Sequence, residues 1–294
     1  MARITYLGPA GTFTEAALIQ LTKAGMVPGC DPAAVQPVAS HDTPAALDAV
    51  RSGAADYACV PIENSIEGGV SPTLDSLAMG SPLQVFAETS LSVTFSIVVA
   101  RGREAADIRT VAAHPVAAAQ VRHWLASQLP DAQLLPANSN AAAAEQVADG
   151  AADAGVSTAL AADHYRLARL ADGVVDEPTA RTRFVLVGPP GRPPPRTGAD
   201  RTSVVLRIAN VPGSLVAALT EFGSRGIDLT RIESRPTRAR LGTYVFFLDC
   251  VGHIDDGAVS AALQALEARC ADVRYLGSWP VGADAALQPD EAAQ

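Results

Sequence analysis

A group of polar residues follows an apolar run near position sixty, and its residue types suit the floor of a binding or catalytic site. Glu63, Asn64 and Ser65 come directly after the predicted buried strand Tyr57 to Val60, and Glu67 precedes two glycines. If an apolar ligand buried Glu63, the pKa of its carboxyl group would rise and the group could donate a proton. The alternative is an ordinary solvated loop.

A second polar segment, Arg181-Thr182-Arg183-Phe184, leads into the last apolar run before residue 188. An arginine can hold a carboxylate bidentately, and a threonine hydroxyl can donate to a leaving oxygen. A third segment, Gly8 to Thr12, lies between a predicted strand and helix, where backbone N–H groups attract a carboxylate or phosphate. It matches neither a dinucleotide fingerprint nor a phosphate-binding P-loop, so on its own it is equally an ordinary turn.

Two segments nearer the C-terminal end suit an amino-acid ligand. Gly213 opens a predicted helix in Asn210-Val211-Pro212-Gly213-Ser214-Leu215, so the N–H groups there can take a carboxylate. Glu233, in Glu233-Ser234-Arg235-Pro236, could face an ammonium group. Together they predict a site that recognises both charged groups of an amino acid.

Alternating strands and helices must position the first three segments. From Arg3 to Val187 the pattern predicts an α/β fold with largely parallel sheets and a crossover between two lobes. Ligands in such folds bind in the crevice beyond the strand ends. From Ser203 to Trp279 the pattern is β-α-β-β-α-β, which predicts a ferredoxin-like unit.

These patterns divide the chain into a catalytic region (1–188, with a second lobe at about 80–160), a linker (189–202), a second domain (203–281) and a tail (282–294). Gly188 to Gly198 holds five prolines and three glycines, so it predicts a stiff exposed linker. The linker begins four residues after Phe184. We therefore predict that it transmits ligand binding in the second domain to the strand of Thr182.

Composition excludes several classes of protein. The net charge of −9 argues against nucleic-acid or anionic-membrane partners, and it requires local cations or helix N-termini around an anionic substrate. No apolar run is long enough to cross a bilayer, and Met1 to Leu7 lacks a secretion signal, so we expect a cytoplasmic protein. The four cysteines form no CxxC pair and have no metal-ligand spacing, which predicts reduced thiols and no metal site.

Taken together, the first three segments resemble those of prephenate dehydratase in the same order: Gly-Pro-x-Gly-Thr-Phe, Pro-Ile-Glu-Asn-Ser-Ile-Glu-Gly and Thr-Arg-Phe. The resemblance implies two lobes like a type II periplasmic binding protein, with the site between them and no metal or organic cofactor. It links Thr182 to catalysis, Arg183 to substrate binding and Phe184 to the shape of the site.

The resemblance also implies roles for other positions. Glu63 and Asn64 would support Thr182, while the residues expected to contact the substrate, besides Arg183 and Phe184, are Thr12, Ser65, Gln120 and Ser139. The chain departs from the family's pattern at Ala113, Val116 and Ala180, so no role carries over to those three positions.

The second domain resembles an ACT domain. Ser214 stands where the Asn-x-Pro-Gly-Ala-Leu turn has alanine, and the Glu-Ser-Arg-Pro motif of phenylalanine-binding members is complete. The resemblance implies a homodimer or homotetramer with L-phenylalanine bound at the interface. The residues implied for that site are Asn210, Pro212, Gly213, Ser214, Leu215, Glu233, Ser234 and Arg235.

The implied reaction converts prephenate to phenylpyruvate with loss of water and carbon dioxide, in phenylalanine biosynthesis under feedback by phenylalanine. We predict that Thr182 donates a hydrogen bond or a proton to the leaving hydroxyl, backed by Asn64 or Glu63. Arg183 and the helix start at Thr12 would hold the carboxylates.

Three alternatives stay open: an arogenate dehydratase, a non-enzymatic two-lobed small-molecule binding protein, and an ACT protein with an inactive first domain. The missing secretion signal and the Thr-Arg-Phe segment count against the second. The complete set of Glu63, Asn64, Thr182 and Arg183 counts against the third.

Overall fold

A computed structural model describes residues 1–177, 179–237 and 242–281, so the expected tail at 282–294 lies outside the described residues. The first part of the chain contains β1 (Ala2–Leu7), α1 (Phe13–Lys23), β2 (Val35–Ser40), α2 (Thr43–Arg51), β3 (Tyr57–Asn64), β4 (Gly68–Gly69), α3 (Ser71–Ala78) and β5 (Gln84–Ser92). The middle part contains β6 (Phe95–Val99), β7 (Thr110–Ala113), α4 (Pro115–Gln120), α5 (Arg122–Gln128), β8 (Gln133–Pro136), α6 (Asn140–Ala148), β9 (Ala154–Ser157), α7 (Ala159–His164), β10 (Ala168–Val174) and β11 (Arg181–Gly188). The last part contains β12 (Asp200–Arg207), α8 (Ser214–Gly223), β13 (Leu229–Pro236), β14 (Tyr244–Val251), α9 (Gly257–Arg269) and β15 (Asp272–Pro280).

The first lobe is built on a sheet with the strand order β2-β1-β3-β11-β5, and β4 pairs with β3 at its end. β1 runs parallel to β2 and β3, whereas β11 runs antiparallel to both β3 and β5. The expectation of largely parallel sheets is therefore wrong, and the sheet is mixed. The reason is that β5 leaves for the second lobe and β11 returns from it, so these two crossover strands run in opposite directions.

The second lobe has a five-stranded mixed sheet in the order β10-β6-β9-β7-β8. Its strands extend from Phe95 to Val174, so this lobe lies later in the chain than the expected 80–160. β5 ends at Ser92 and β6 begins at Phe95, so the chain crosses between the lobes at this break. The two-lobed α/β architecture is as the sequence predicts.

The two lobes touch where β1 turns into α1. The Thr158 hydroxyl, at the start of α7, donates to the carbonyl oxygen of Gly11 at 2.5 Å, and the Phe13 and Phe95 rings meet edge to face with centroids 5.8 Å apart. A Cβ atom on Gly11 would lie 2.9 Å from the backbone Cα of Ala161. Glycine at this position thus permits the close approach of the lobes.

The last part of the chain forms the expected β-α-β-β-α-β unit, an antiparallel sheet in the order β13-β14-β12-β15. Helices α8 and α9 cover one face of this sheet, around Phe222 and Leu266. The other face packs on the first lobe, since Val205, Phe247 and Trp279 belong to the same apolar cluster as residues of α2 and α3. We call this unit the regulatory domain, after the role that its resemblance to an ACT domain implies, and we call the shared surface the domain interface.

The proline-rich segment between β11 and β12 is anchored to both sides of the domain interface. The N–H of Gly191 donates to Oε1 of Gln84 at 3.0 Å, and the Pro194 carbonyl oxygen lies 3.0 Å from Nε2 of the buried His253. Arg196 pairs with Asp256 at 2.6 Å. The segment is therefore fixed to both domains, which also pack directly on each other. Transmission of ligand binding through the segment stays a prediction.

The four cysteines are unpaired, as expected of reduced thiols. Burial raises the pKa of the Cys59 thiol and raises that of Cys250 to about 12, which makes both poor nucleophiles. Within the described residues, no helix is both long and apolar enough to cross a membrane.

The lobe contact at Gly11 makes a prediction about stability. Gly11 and Gly25 both have positive φ, at 88° and 67°, but nothing lies within 4 Å of a Cβ atom on Gly25. Gly25→Ala should cost only the backbone strain of roughly 1–2 kcal/mol. Gly11→Ala should cost about 1–3 kcal/mol more, because the added methyl group forces the lobes apart. Urea unfolding of both variants measures the difference; equal losses would show that the lobes do not press on Gly11.

Candidate active site

The side chains of Thr182 and Asn64 meet at the edge of the first lobe, where β11 begins and β3 ends. Nδ2 of Asn64 donates to Oγ1 of Thr182 at 2.9 Å. Oδ1 of Asn64 accepts from the N–H groups of Ile66 at 2.9 Å and Glu67 at 3.0 Å, which fixes the orientation of the amide. Because Thr182 receives this hydrogen bond, its own O–H is left to donate to another group.

A β-bulge in β3 determines which side chains share a face with Thr182. Phe184 lies opposite Pro61, but Arg183 lies opposite Glu63, so Ile62 is an extra residue in the ladder. The alternation of side chains reverses at this point. Asn64 is thereby brought to the face of Thr182, and Glu63 to the face of Arg183.

Ser65, expected to contact the substrate, closes the end of the β3–β11 ladder. Its N–H donates to the Arg181 carbonyl oxygen at 2.9 Å, and its hydroxyl accepts from the Arg181 N–H at 2.9 Å. Ser65 therefore holds the residue that precedes Thr182 in place. It is exposed, and its hydroxyl proton is still free for a ligand.

A cavity of about 520 Å³ lies in the cleft between the lobes. Two of the expected contact residues line it, Thr12 and Ser139, and each caps a helix, α1 or α6. The unpaired N–H groups and the dipoles of these helix starts supply positive potential for a carboxylate. They supply the local positive potential that an anionic substrate requires in a chain of net charge −9.

The same cavity is lined by polar residues that we did not expect to contribute. His41, His114, Asn138 and Asn140 border it, and Oδ1 of Asn140 is buried with no hydrogen-bond partner in the described structure. Nδ1 of His114 accepts from the N–H of Val116 at 3.4 Å, so a neutral ring carries its proton on Nε2. His114 lies between Ala113 and Val116, two positions where the chain departs from the family's pattern. In the sequence, only its position at the start of a helix pointed to a role in the site.

Gln120 lies in a neighbouring cavity of about 480 Å³ and not beside Thr12 and Ser139. This second cavity is bordered by Ile66 and Glu67, the two residues whose N–H groups bind Asn64. Oε1 of Gln120 is buried without a partner among the described residues, so it is an open acceptor there. The described residues contain no group of three His, Cys, Asp or Glu side chains that could hold a metal ion.

Arg183 does not face the cleft, which corrects the expectation that it holds a substrate carboxylate. Its guanidinium group is buried against three carboxylates, with Nη2 2.7 Å from Asp249 and 2.9 Å from Glu63, and Nη1 3.2 Å from Glu88. Burial alone would lower the pKa of Arg183, but these carboxylates outweigh it and hold the pKa above its ordinary value. The physical reason is strand alternation, since Arg183 follows Thr182 and must point to the opposite face.

The structure also corrects the roles expected for Glu63 and Phe184. The bulge turns Glu63 to Arg183 and the domain interface, so its carboxylate is an ion-pair partner there and not a proton donor in the cleft. Phe184 is buried in the core beneath α1, with Ile4, Tyr6 and Leu18. It therefore shapes the site only through the packing of the helix that begins at Thr12.

The regulatory domain has its own cavity, of about 680 Å³, at the start of α8. Four expected residues line it: Asn210, Gly213, Ser214 and Leu215. Pro212 borders an adjacent cavity of about 400 Å³. Sequence reasoning missed other lining residues: Tyr244 and Phe246 on β14, Thr237 just after β13, and Met79 just after α3.

The Glu-Ser-Arg-Pro segment does not line this cavity within one chain, which corrects the expectation for Glu233 and Arg235. Arg235 forms a bidentate ion pair with Asp75 of α3, at 3.0 and 3.2 Å. Oε2 of Glu233 lies 3.5 Å from Nη1 of Arg231, and the carboxylate abuts Gly69 of β4. Ser234 alternates to the opposite, exposed side of the edge strand β13.

Comparison with known proteins confirms the families expected for the two parts of the chain. Family models described as prephenate dehydratase and ACT domain match residues 4–192 and 202–268. A prephenate dehydratase of Mycobacterium marinum is 70% identical over 296 residues, covering 100% of this chain and 94% of that protein.

Two solved structures are also similar to this chain. Prephenate dehydratase from Arthrobacter aurescens, in complex with L-Phe, has a TM-score of 0.86 and 43% identity over 95% of this chain and 90% of that one. GqqA, described as a novel type of quorum quenching acylase, has a TM-score of 0.83 and 27% identity over 96% of this chain and 99% of that one.

The hydrogen bond between Asn64 and Thr182 makes a prediction for turnover of prephenate, the substrate for which the relatives are named. Removing one preorganised donor in a water-poor site typically costs about 10²–10³-fold in kcat. Thr182→Ala should therefore lower kcat by about this factor, and Thr182→Ser should retain most activity because the hydroxyl remains. Asn64→Ala should lower kcat with a smaller change in KM, since the hydroxyl loses its orientation. Unchanged turnover of Thr182→Ala would contradict the role of Thr182.

Proposed function

The chain belongs to the prephenate dehydratase family and is a hydro-lyase with a C-terminal ACT domain, and we propose that the Thr182–Asn64 pair and the starts of α1 and α6 form its active site. The observation that carries this assignment is the 2.9 Å hydrogen bond from Asn64 to Thr182. It presents the Thr182 hydroxyl as a donor at the lobe edge. Prephenate, with two carboxylates and a leaving hydroxyl, is complementary to such a site.

In the reaction, the bond between ring and carboxylate carbon breaks, and its electron pair forms the new ring double bond. The ring C–O bond breaks in the same overall change, so carbon dioxide leaves and hydroxide takes up one proton to form water. Aromatisation supplies the driving force. The protein must hold both carboxylates and stabilise the charge that develops on the leaving oxygen.

Thr182 is placed to stabilise that oxygen by donating its hydroxyl proton in a hydrogen bond. A neutral threonine is too weak an acid to protonate hydroxide by itself, so its contribution is orientation and electrostatic stabilisation. Thr12 and Ser139 bring the N-termini of α1 and α6 to the cleft, where they would bind carboxylates. Arg183 has no part in this binding, because its guanidinium group faces the domain interface.

We also propose that the regulatory domain binds L-phenylalanine and inhibits the enzyme. The cavity at the start of α8 is lined by the expected residues Asn210, Gly213 and Ser214, and a relative of 43% identity is solved in complex with L-Phe. Pro212 and the exposed Ser234 would complete the site where two copies meet along β13 in a homodimer or homotetramer. As an enzyme of phenylalanine biosynthesis, the protein would act in the cytoplasm.

The activity is tested by following phenylpyruvate absorbance from prephenate and, separately, from arogenate. We expect turnover of prephenate to exceed that of arogenate. Preference for arogenate would make the protein an arogenate dehydratase, and no turnover of either substrate would contradict the proposed function.

Feedback makes a separate prediction. L-Phenylalanine should lower the rate of the wild-type enzyme, and Asn210→Ala should raise the half-inhibitory concentration by about tenfold, since a lost hydrogen-bonding group is worth about 1.4 kcal/mol or more. Asn210 closes the cavity by donating to the Gly242 carbonyl oxygen at 3.0 Å. D-Phenylalanine serves as the control ligand. Equal sensitivity of both proteins would exclude this cavity as the inhibitory site.

A further inference from the structure

Five charged side chains are buried together at the domain interface. Arg183 and Glu88 come from the first lobe, and Arg201, Arg231 and Asp249 come from the regulatory domain. None of these side chains is more than 8% exposed. We call this group the interface charge cluster.

The shortest ion pair in the cluster, between Arg183 and Asp249, crosses the domain interface. Oδ2 of Asp249 accepts from Arg183 at 2.7 Å and from Arg231 of its own domain at 2.9 Å. Oε2 of Glu88 accepts from Arg183 at 3.2 Å and from the indole N–H of Trp279 at 3.0 Å. Each domain thus supplies a carboxylate that binds groups of the other domain.

The ionisation of Asp249 is maintained by its arginine partners. Burial would raise the pKa of Asp249, but Arg183 and Arg231 outweigh it and hold the pKa well below its usual range. Asp249 is therefore an anion whenever the domains are docked as seen here. If the regulatory domain moved away, Arg183 would lose its shortest ion-pair contact.

A second contact reaches the same part of the first lobe. The carboxylate of Glu233 abuts Gly69, and a Cβ atom on Gly69 would overlap it. Gly69 pairs with Glu63 and Gly68 pairs with Asn64 in the short β3–β4 ladder. The regulatory domain therefore contacts β11 at Arg183 and, at Gly69, the short strand β4 that pairs with the end of β3.

We propose that Asp249 of the regulatory domain is a positioning residue for the dehydratase reaction, acting through Arg183 on Thr182. Arg183 and Thr182 share one peptide unit of β11 and point to opposite faces, so holding the guanidinium group fixes the backbone from which the hydroxyl projects. The proposal deepens the proposed function and requires the Thr182 assignment to hold. It makes the active site complete only when the regulatory domain is docked.

Asp249→Asn tests the proposal because it keeps the shape of the side chain and removes its charge. Displacement of a positioned group by about 1 Å can cost about 100-fold in rate, so we expect kcat for prephenate to fall by about 10-fold to 100-fold, with KM changed less than about threefold. In a Thr182→Ala background the same substitution should change the residual kcat by less than about twofold, since the group it positions is absent. Glu267→Gln, at an exposed site on α9, is the charge-matched control and should leave kcat unchanged.

Two further measurements separate positioning from loss of folding. Trp279 is buried in the interface, so in a Trp124→Phe background its emission reports docking of the regulatory domain. Asp249→Glu retains the charge but displaces the carboxylate, so it should fold, keep a buried Trp279 signal and still lower kcat. If Asp249→Asn does not fold, the result with Asp249→Glu decides the question.

Two results would overturn the proposal, and a third would instead contradict the proposed function. Unchanged kcat in folded Asp249→Asn or Asp249→Glu would overturn the proposal. Equal fold losses in the wild-type and Thr182→Ala backgrounds would show a general structural role and would overturn it too. Failure of the wild-type enzyme to convert prephenate would instead contradict the proposed function, which is measured first.

Discussion

The structure depends on the alternation of side chains along β11. Two consecutive residues, Thr182 and Arg183, project from opposite faces of this strand, the first toward Asn64 and the second into the domain interface. The bulge at Ile62 matches β3 to this arrangement, so that Asn64 accompanies Thr182 and Glu63 accompanies Arg183. One strand therefore carries both the hydroxyl that we propose for catalysis and the group that binds the regulatory domain.

The domain interface combines two kinds of interaction with different consequences. Apolar side chains such as Phe247 and Trp279 supply non-directional burial, which tolerates small shifts of one domain against the other. The interface charge cluster is directional, and removing one partner of a buried ion pair costs about 3–5 kcal/mol because the remaining charge is left uncompensated. An interface of this kind favours two discrete states, docked and undocked, over a continuous range.

Much of this arrangement could be predicted from the sequence, because it depends on local patterns. The caps at Thr12 and Ser139 and the β-α-β-β-α-β order follow from residue types and spacing, and the structure places both caps at the cleft. The positions of Glu63, Arg183, Glu233 and Arg235 could not be predicted in this way. A bulge leaves no clear signal in a single sequence, and a motif of charged residues does not show whether it faces a ligand or a neighbouring domain. The proline-rich segment was a correct sign of a boundary, but composition could not show that the two domains pack directly.

The central claim is that docking of the regulatory domain fixes the backbone of β11 at Thr182. Hydrogen–deuterium exchange of the peptide covering Arg181–Gly188, compared between wild-type protein and Asp249→Asn, tests this most directly, with α6 in the second lobe as the internal reference. The account predicts faster exchange at residues 181–184 in the variant and unchanged exchange in α6. Equal exchange at 181–184 in the two proteins would contradict it.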